Sequence, residues 1–139
     1  MSAKRVVLLD NEAVQALRDP AHRKHRRVLG EVEIALKRAV RTHRVRVVVP
    51  AAVRVEAGWD RTAAAWAFAN RFPITDIPLD GGHADAAAAI VKRTGVSVAD
   101  AHLGAAIKIA NADHITVLTS DPDDMRKVAE GNRVDIVNL

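Results

Sequence analysis

The feature that most constrains the fold is a short apolar run that ends in a carboxylate. Residues 6–9 are all valine or leucine, polar and apolar positions do not alternate, and Asp10 follows directly. Such a run predicts a strand buried on both faces, as in a parallel sheet. Open parallel sheets bind their ligands in the crevice beyond the carboxyl ends of the strands. Asp10 is therefore the first candidate functional residue.

Further predicted strands alternate with helical segments along the rest of the chain. The strands are expected at residues 45–49, 74–79, 115–118 and 134–137. Pro78 places the third of these at a sheet edge or makes it end early. An alanine-rich segment, residues 61–72, ends before Pro73. The alternation predicts an α/β protein with a parallel sheet, and 139 residues fit a single domain, 1–139.

Composition excludes several classes of protein. The chain has no cysteine, so it has no disulfide, no thiolate metal site and no cysteine nucleophile. Hydrophobic residues make up 49% and charged residues 27%, which excludes bulk disorder. No signal peptide is recognisable, and no apolar run approaches the roughly 20 residues that cross a bilayer. We expect a cytoplasmic protein with no membrane partner.

Positive charge is concentrated in one part of the chain. The net charge is +4, and residues 18–46 contain ten Lys or Arg against three acids. This distribution suits a polyanion, although a solvated helix face has the same composition. The basic residues that we expect to position the phosphates of such a polyanion are Arg23, Lys24, Arg26 and Arg27.

Four acids follow predicted strands or begin helices. Asp10 and Asp121 follow strands, Glu56 lies on the short helix after the second strand, and Asp100 begins a later helix. In a parallel sheet these positions meet at one rim, where the carboxylates repel one another unless a cation neutralises them. Oxygen ligands without Cys or a His pair favour Mg²⁺ or Mn²⁺ over zinc. Two such ions can activate water and stabilise the leaving oxygen in phosphodiester cleavage, so the sequence predicts a metal-dependent nuclease.

The chain resembles a PIN domain, and within that group the small VapC-type ribonuclease toxins. The resemblance covers essentially the whole chain and is carried by four motifs, LLDNEAV, VPAAVRVEAG, VSVADAHLGAAIKIA and ITVLTSDPDDM. It implies a PIN-like three-layer α/β/α fold with a central, mainly parallel sheet of about five strands. It also implies an endoribonuclease that cleaves RNA with metal-activated water.

By the same resemblance, Asp10, Glu56, Asp100 and Asp121 are the catalytic residues and bind Mg²⁺ or Mn²⁺. Asp124 is implied as a further metal ligand. Two other polar residues, Asn11 and Thr119, are accessory. In VapC-type relatives Thr or Ser is common directly after the first acid, where this chain has Asn11. Met125 stands where these relatives commonly have Phe, and this second difference indicates a change in packing.

The resemblance also implies partners. VapC-type proteins are the toxins of type II toxin–antitoxin pairs, so we expect a small antitoxin that covers the acids, and a homodimer. The segment at residues 56–72, which contains Trp59 and Trp66, is the expected antitoxin contact. The tryptophans are otherwise expected to fill the core, since 3% aromatic residues and no tyrosine give little support to base stacking.

Several simpler interpretations stay open at this point. Asp10 can be a helix N-cap, Asp100 can complement a helix dipole, and Glu56 can belong to an ion pair. His102, two residues after Asp100, can point either toward the acids or away from them. A catalytically silent RNA-binding or scaffold protein of the same fold is the main alternative function. A phosphatase or phosphoacceptor domain is a weaker one, because position 12 is Glu12 and the second strand ends in proline.

Overall fold

Five parallel strands form one central sheet in the computed structural model, which describes residues 4–139. The strands are β1 (Arg5–Leu9), β2 (Val45–Pro50), β3 (Thr75–Ile77), β4 (His114–Thr119) and β5 (Asp135–Asn138). Their order across the sheet is β3-β2-β1-β4-β5, and every neighbouring pair is parallel. The predicted fold class, a PIN-like three-layer α/β/α fold, is confirmed, and the sheet is wholly rather than mainly parallel.

Helices connect the strands. They are α1 (Asn11–Arg18), α2 (His25–Thr42), α3 (Ala51–Ala57), α4 (Gly81–Thr94), α5 (Val98–Ile109) and α6 (Pro122–Ala129). Two short 3₁₀ turns, Ala64–Trp66 and Ala69–Arg71, lie between α3 and β3. No helix within residues 4–139 is both long and apolar enough to cross a bilayer.

The order of the strands reverses at β1. The chain builds outward from β1 to β2 and β3 on one side, then returns to place β4 and β5 on the other. β1 and β4 pair over their whole length, and the Asp10 amide beyond β1 donates to the Leu118 carbonyl of β4 at 3.2 Å. This point is a topological switch, and sheets of this kind bind ligands beyond the strand ends there.

Alternate residues of the central strands enter two apolar cores on opposite faces of the sheet. Leu9 and Val47 pack with residues of α1 and α2, whereas Leu8 and Val48 pack with residues of α4 and α5. All four are almost fully buried. Burial on both faces explains why the strands read as continuous apolar runs.

Helices α5 and α6 approach each other closely at Gly104. A Cβ atom at this position would lie 2.6 Å from the Val128 carbonyl oxygen and 2.8 Å from the Val128 Cβ. The contact therefore requires glycine. It fixes α5, which carries Asp100 at its start, against α6, which follows Asp121.

Residues 61–72 do not form a regular helix despite their alanine content. Trp59 and Trp66 stack with ring centroids 5.7 Å apart, and both are buried. The Trp59 Nε1–H donates to the Asn70 side chain at 2.7 Å, and Asn70 in turn donates to the Arg61 carbonyl. These side-chain contacts fold the segment into two tight turns and override its helix propensity.

Candidate active site

Asp10 lies at the switch point, with 6% of its surface exposed. Its Oδ1 accepts the Ala13 amide at 2.8 Å and so caps α1, as the simpler interpretation required. Burial raises the pKa of Asp10, and hydrogen bonds from the Thr119 side chain and the Ala13 amide oppose the rise. A carboxylate has two oxygens and about four lone-pair sites, so the cap leaves Asp10 able to bind another group.

The loop after β4 supplies two more acids. Asp121 caps α6 by accepting the Asp124 amide at 3.2 Å, and Pro122 occupies the first turn. The buried Thr119 hydroxyl accepts the Asp121 amide at 2.9 Å. Thr119 therefore connects Asp10 and Asp121 and holds the loop against the end of β1. Asp124 also lies 3.7 Å from Lys127 in an ion pair.

Burial, together with the charges of all the other acids of the cluster, raises the pKa of Asp100. Asp100 lies in the first turn of α5, where its amide donates to Ser97 Oγ at 3.1 Å. Burial, and then the negative charges of four other acids, raise its pKa to about 6. In decreasing order of effect, these acids are Glu56, Asp124, Asp10 and Asp121. The fold thus brings together all five acids proposed from the sequence, although they come from four separate parts of the chain.

Glu56 occupies the exposed side of the cluster, on α3. Asn11 Nδ2 donates to Glu56 Oε1 at 3.0 Å, which connects the start of α1 to α3. One turn later on α1, Gln15 Nε2 donates to the Ala57 carbonyl at 3.0 Å. Asn11 therefore contacts an acid of the cluster directly, and Gln15 binds the carboxyl end of α3, the helix that carries this acid.

His102 points away from the acids and supports α3 from its other end. Its side chain is fully buried, and its Nδ1 accepts the Ala52 amide at 3.2 Å. Burial, with a smaller effect from His83, lowers the pKa of His102, which favours the neutral ring that this acceptor role requires. Because α3 has no other side-chain cap, His102 takes that place.

Gln15 is a positioning residue that sequence reasoning missed. Its signal was available, since Gln15 lies four residues after Asn11 and so shares a helix face with it. The orientation of His102 had no comparable signal, because it depends on how α5 packs against α3.

The acids have the donor chemistry of a magnesium or manganese site. Every donor is a carboxylate oxygen, and burial together with repulsion from the other acids raises the pKa of Asp100. Within residues 4–139, no three His, Asp or Glu side chains have the geometry to hold one ion as they stand. Asn11 bound to Glu56 and Lys127 paired with Asp124 occupy two of the carboxylates. The residue types therefore fit a hard divalent cation, and binding requires rotation of exposed side chains.

The basic residues proposed to position RNA lie just before α2 and in its first turn. Arg23 and Lys24 are in the loop before α2, and Arg26 and Arg27 are in its first turn. Arg27 lies 3.9 Å from Glu31, and none of the four is among the charges that shift the pKa of Asp10 or Asp100. Their role in binding RNA remains a prediction.

Comparison with known proteins supports the fold. No family model and no curated protein matches the sequence. A chain in the structure of FitAB bound to the IR36 DNA fragment superposes with a TM-score of 0.58 at 19% identity, covering 95% of this chain and 94% of that one. A chain of VapBC2 from Rickettsia felis, bound to a DNA fragment from their promoter, gives 0.60 at 13% identity, covering 96% and 98%. At such identities the likeness establishes a shared PIN-like fold and does not carry activity across.

Proposed function

We propose that this protein is a Mg²⁺- or Mn²⁺-dependent endoribonuclease. The observation that carries the proposal is the meeting of five carboxylates at the switch point of a parallel sheet, where burial and mutual repulsion raise the pKa of Asp100 to about 6. Carboxylates that repel one another destabilise the folded protein unless a cation neutralises them, so this cluster supports a metal site. Helix capping alone explains Asp10 and Asp121 but not Glu56 and Asp100.

In this proposal Asp10, Asp100, Asp121 and Glu56 hold the metal, with Asp124 as a further ligand. Asn11 orients Glu56, and Thr119 keeps Asp10 and Asp121 in register. A divalent cation held by these carboxylates would lower the pKa of a water and stabilise the leaving oxygen of a phosphodiester. Lys127, 3.7 Å from Asp124, would be available to bind a phosphate if Asp124 held the metal.

RNA as the substrate follows from two considerations. The chain carries a net charge of +4 and a concentration of Arg and Lys on and around α2, which attracts a phosphate backbone. The resemblance to VapC-type ribonucleases favours RNA over other phosphodiesters. Phosphate contacts alone set no sequence preference.

The protein is further proposed to act as the toxin of a type II pair and to form a homodimer. The supporting observations are the motif resemblance and the similar fold of chains from FitAB and VapBC2. The expected partner is a small antitoxin that covers the acidic rim. Trp59 and Trp66 are core residues, so the expected contact through residues 56–72 depends on exposed residues of the segment such as Ala65 and Arg71. A short open reading frame next to the gene, whose product suppresses cleavage, is the expected finding.

The test is cleavage of end-labelled single-stranded RNA by the purified protein, with Mg²⁺, Mn²⁺ or EDTA. We expect cleavage only with metal, and a loss of at least about 100-fold, or about 2.7 kcal/mol of transition-state stabilisation, in Asp10→Asn and Asp100→Asn. Asp123→Asn is the matched control, because that side chain is 87% exposed and pairs with Arg126. Wild-type rates in the Asp10 and Asp100 variants would overturn the proposal.

A further inference from the structure

A large cavity lies beneath the short edge strand β3, away from the acids. It has a volume of about 890 Å³, within the range of small-molecule sites. It reaches the amino-terminal ends of the strands, where Arg5 begins β1 and Arg44 precedes β2. Asp10 follows the other end of β1, so roughly 16 Å of strand separates Arg5 from the acidic cluster.

Positive charge dominates the walls of this cavity. Lys4, Arg5, Arg44 and Arg46 all line it, and none of these four side chains lies within 4 Å of a carboxylate of residues 4–139. His43 and His83 add two further nitrogen-bearing rings. The Asp113 carboxylate accepts the Lys4 backbone amide at 2.8 Å, but within residues 4–139 no carboxylate pairs with the four side-chain cations. These cations repel one another, and an anion would relieve that repulsion.

The one carboxylate in the wall, Asp76, is already neutralised. It accepts from Arg54 at 2.6 Å and from Arg61 at 2.7 Å, and neither arginine lines the cavity. Its pairing lets the cavity keep a strong positive potential although Asp76 is part of its wall. The Arg46 guanidinium contacts only Thr75 Oγ1, at 3.4 Å, which leaves most of its donors free.

The rest of the wall is apolar and adjoins the cations, since Val6 lies directly across from Arg46 in the pairing of β1 with β2. Val6 and Ile109 are partly exposed, whereas Val48 and Ala106 are almost fully buried. Asn111, at the end of this wall, is exposed, and its amide makes no hydrogen bond within the described residues. An apolar surface beside an amide suits a flat heteroaromatic ring, and guanidinium forks suit phosphate.

We propose that this cavity binds a nucleotide, with the phosphate on Arg44 and Arg46 and the base against the partly exposed Val6 and Ile109. The nucleotide is either free or a residue of a single-stranded RNA. Both sources present the same phosphate and base. The site is distinct from the acidic cluster and does not depend on the proposed cleavage.

Binding can be measured by calorimetry on the full chain in EDTA, which removes metal from the acids. The probes are ADP, a 5′-phosphorylated RNA pentamer, inorganic phosphate and an acidic pentapeptide. We expect ADP or the pentamer to bind with one-to-one stoichiometry, and at least tenfold more weakly to the double variant Arg44→Gln, Arg46→Gln. Lys37→Gln with Arg38→Gln removes the same charge from exposed positions of α2 and should leave binding unchanged.

The relative affinities for ADP and for the RNA pentamer distinguish a site for free nucleotides from a site for RNA. Binding of ADP but not of the pentamer assigns the site to free nucleotides, and at least tenfold tighter binding of the pentamer assigns it to RNA. The proposal is overturned if neither binds, if the control variant loses as much affinity, or if phosphate or the acidic peptide binds as tightly as the nucleotides.

Two further measurements keep the proposal testable if the double variant does not fold. The single variant Arg46→Gln alters an exposed side chain and should also weaken binding. Photo-crosslinking of 8-azido-ADP to the unaltered protein should label residues 106–111, and labelling elsewhere would contradict the site. Asp10→Asn should bind both nucleotides like the wild type, so failure of the proposed nuclease activity would not affect this result.

Discussion

Asn11 donates its side-chain amide to the Glu56 carboxylate at 3.0 Å, which connects the start of α1 with α3. The two residues lie 45 positions apart, and each follows a strand of the central sheet. Glu56 is exposed, and among the acids its charge has the largest effect on the pKa of Asp100. Its orientation depends on the contact with Asn11. Asn11 therefore acts through Glu56.

Replacing Asn11 tests that role. We expect Asn11→Ala to lower kcat for RNA cleavage by about tenfold, since one hydrogen bond to a charged group contributes about 1.5 kcal/mol. The metal requirement should shift toward higher Mn²⁺ concentration, which a purely structural role would not cause. Asn138→Ala, an exposed change in β5, is the control. Equal kinetics and equal metal dependence in Asn11→Ala and Asn138→Ala would contradict the assignment.

The raised pKa of Asp100 predicts how stability depends on pH without metal. The folded protein holds the Asp100 proton up to about pH 6, whereas the unfolded chain releases it near 3.8. Stability from this group therefore falls as pH rises from about 4 to about 6, and the full penalty is present at pH 7.5. Asp100→Asn removes the penalty.

We expect Asp100→Asn to stabilise the metal-free protein at pH 7.5 by about 1 kcal/mol, after allowance for solvent screening at the open rim. That gain corresponds to a rise of about 2–4 °C in Tm. The difference between the variant and the wild type should shrink toward pH 4. Thermal unfolding in EDTA across this pH range measures it, and an Asp100→Asn protein that is less stable than wild type at pH 7.5 contradicts the repulsion.

Gly104 makes a separate prediction about packing. A methyl group at this position meets the Val128 backbone at 2.6 Å, so we expect Gly104→Ala to destabilise the protein by about 1–3 kcal/mol. Gly30 of α2 is the matched control, because no atom lies within 4 Å of an added Cβ there. Gly30→Ala should stabilise by about 0.4–1 kcal/mol. Urea unfolding measures both, and stabilisation by Gly104→Ala as well as by Gly30→Ala would show that α5 and α6 can separate at little cost in free energy.

Strand positions were predictable because each central strand is apolar on both faces. The expected runs at residues 6–9 and 45–49 fall within β1 and β2, and Pro78 directly follows β3 as its ring requires. The start of β3 at Thr75 was not predictable, since residues 74–79 look uniformly extended, but Pro78 did predict its early end and its place at the sheet edge. The order of the strands also could not be predicted from the sequence, because it depends on which strands α2 and α5 cross.

The candidate site, like the fold, could be predicted only in part from the sequence. Acids after strands point to one rim by the geometry of parallel sheets alone, which is why Asp10 and Asp121 could be found. The contacts that orient these acids could not be predicted from the sequence. Gln15 reaches α3, and His102 caps it from the opposite end, through packing that no local pattern encodes.

Titration of the purified protein with Mn²⁺ by calorimetry tests the central claim most directly, that the five carboxylates form a divalent metal site. The account predicts binding to the wild type, affinity at least tenfold weaker in Asp10→Asn and Asp100→Asn, and unchanged affinity in Asp123→Asn. Absence of Mn²⁺ binding to the folded wild type, or equal binding in all three variants, would contradict it and favour a catalytically silent RNA-binding protein of this fold.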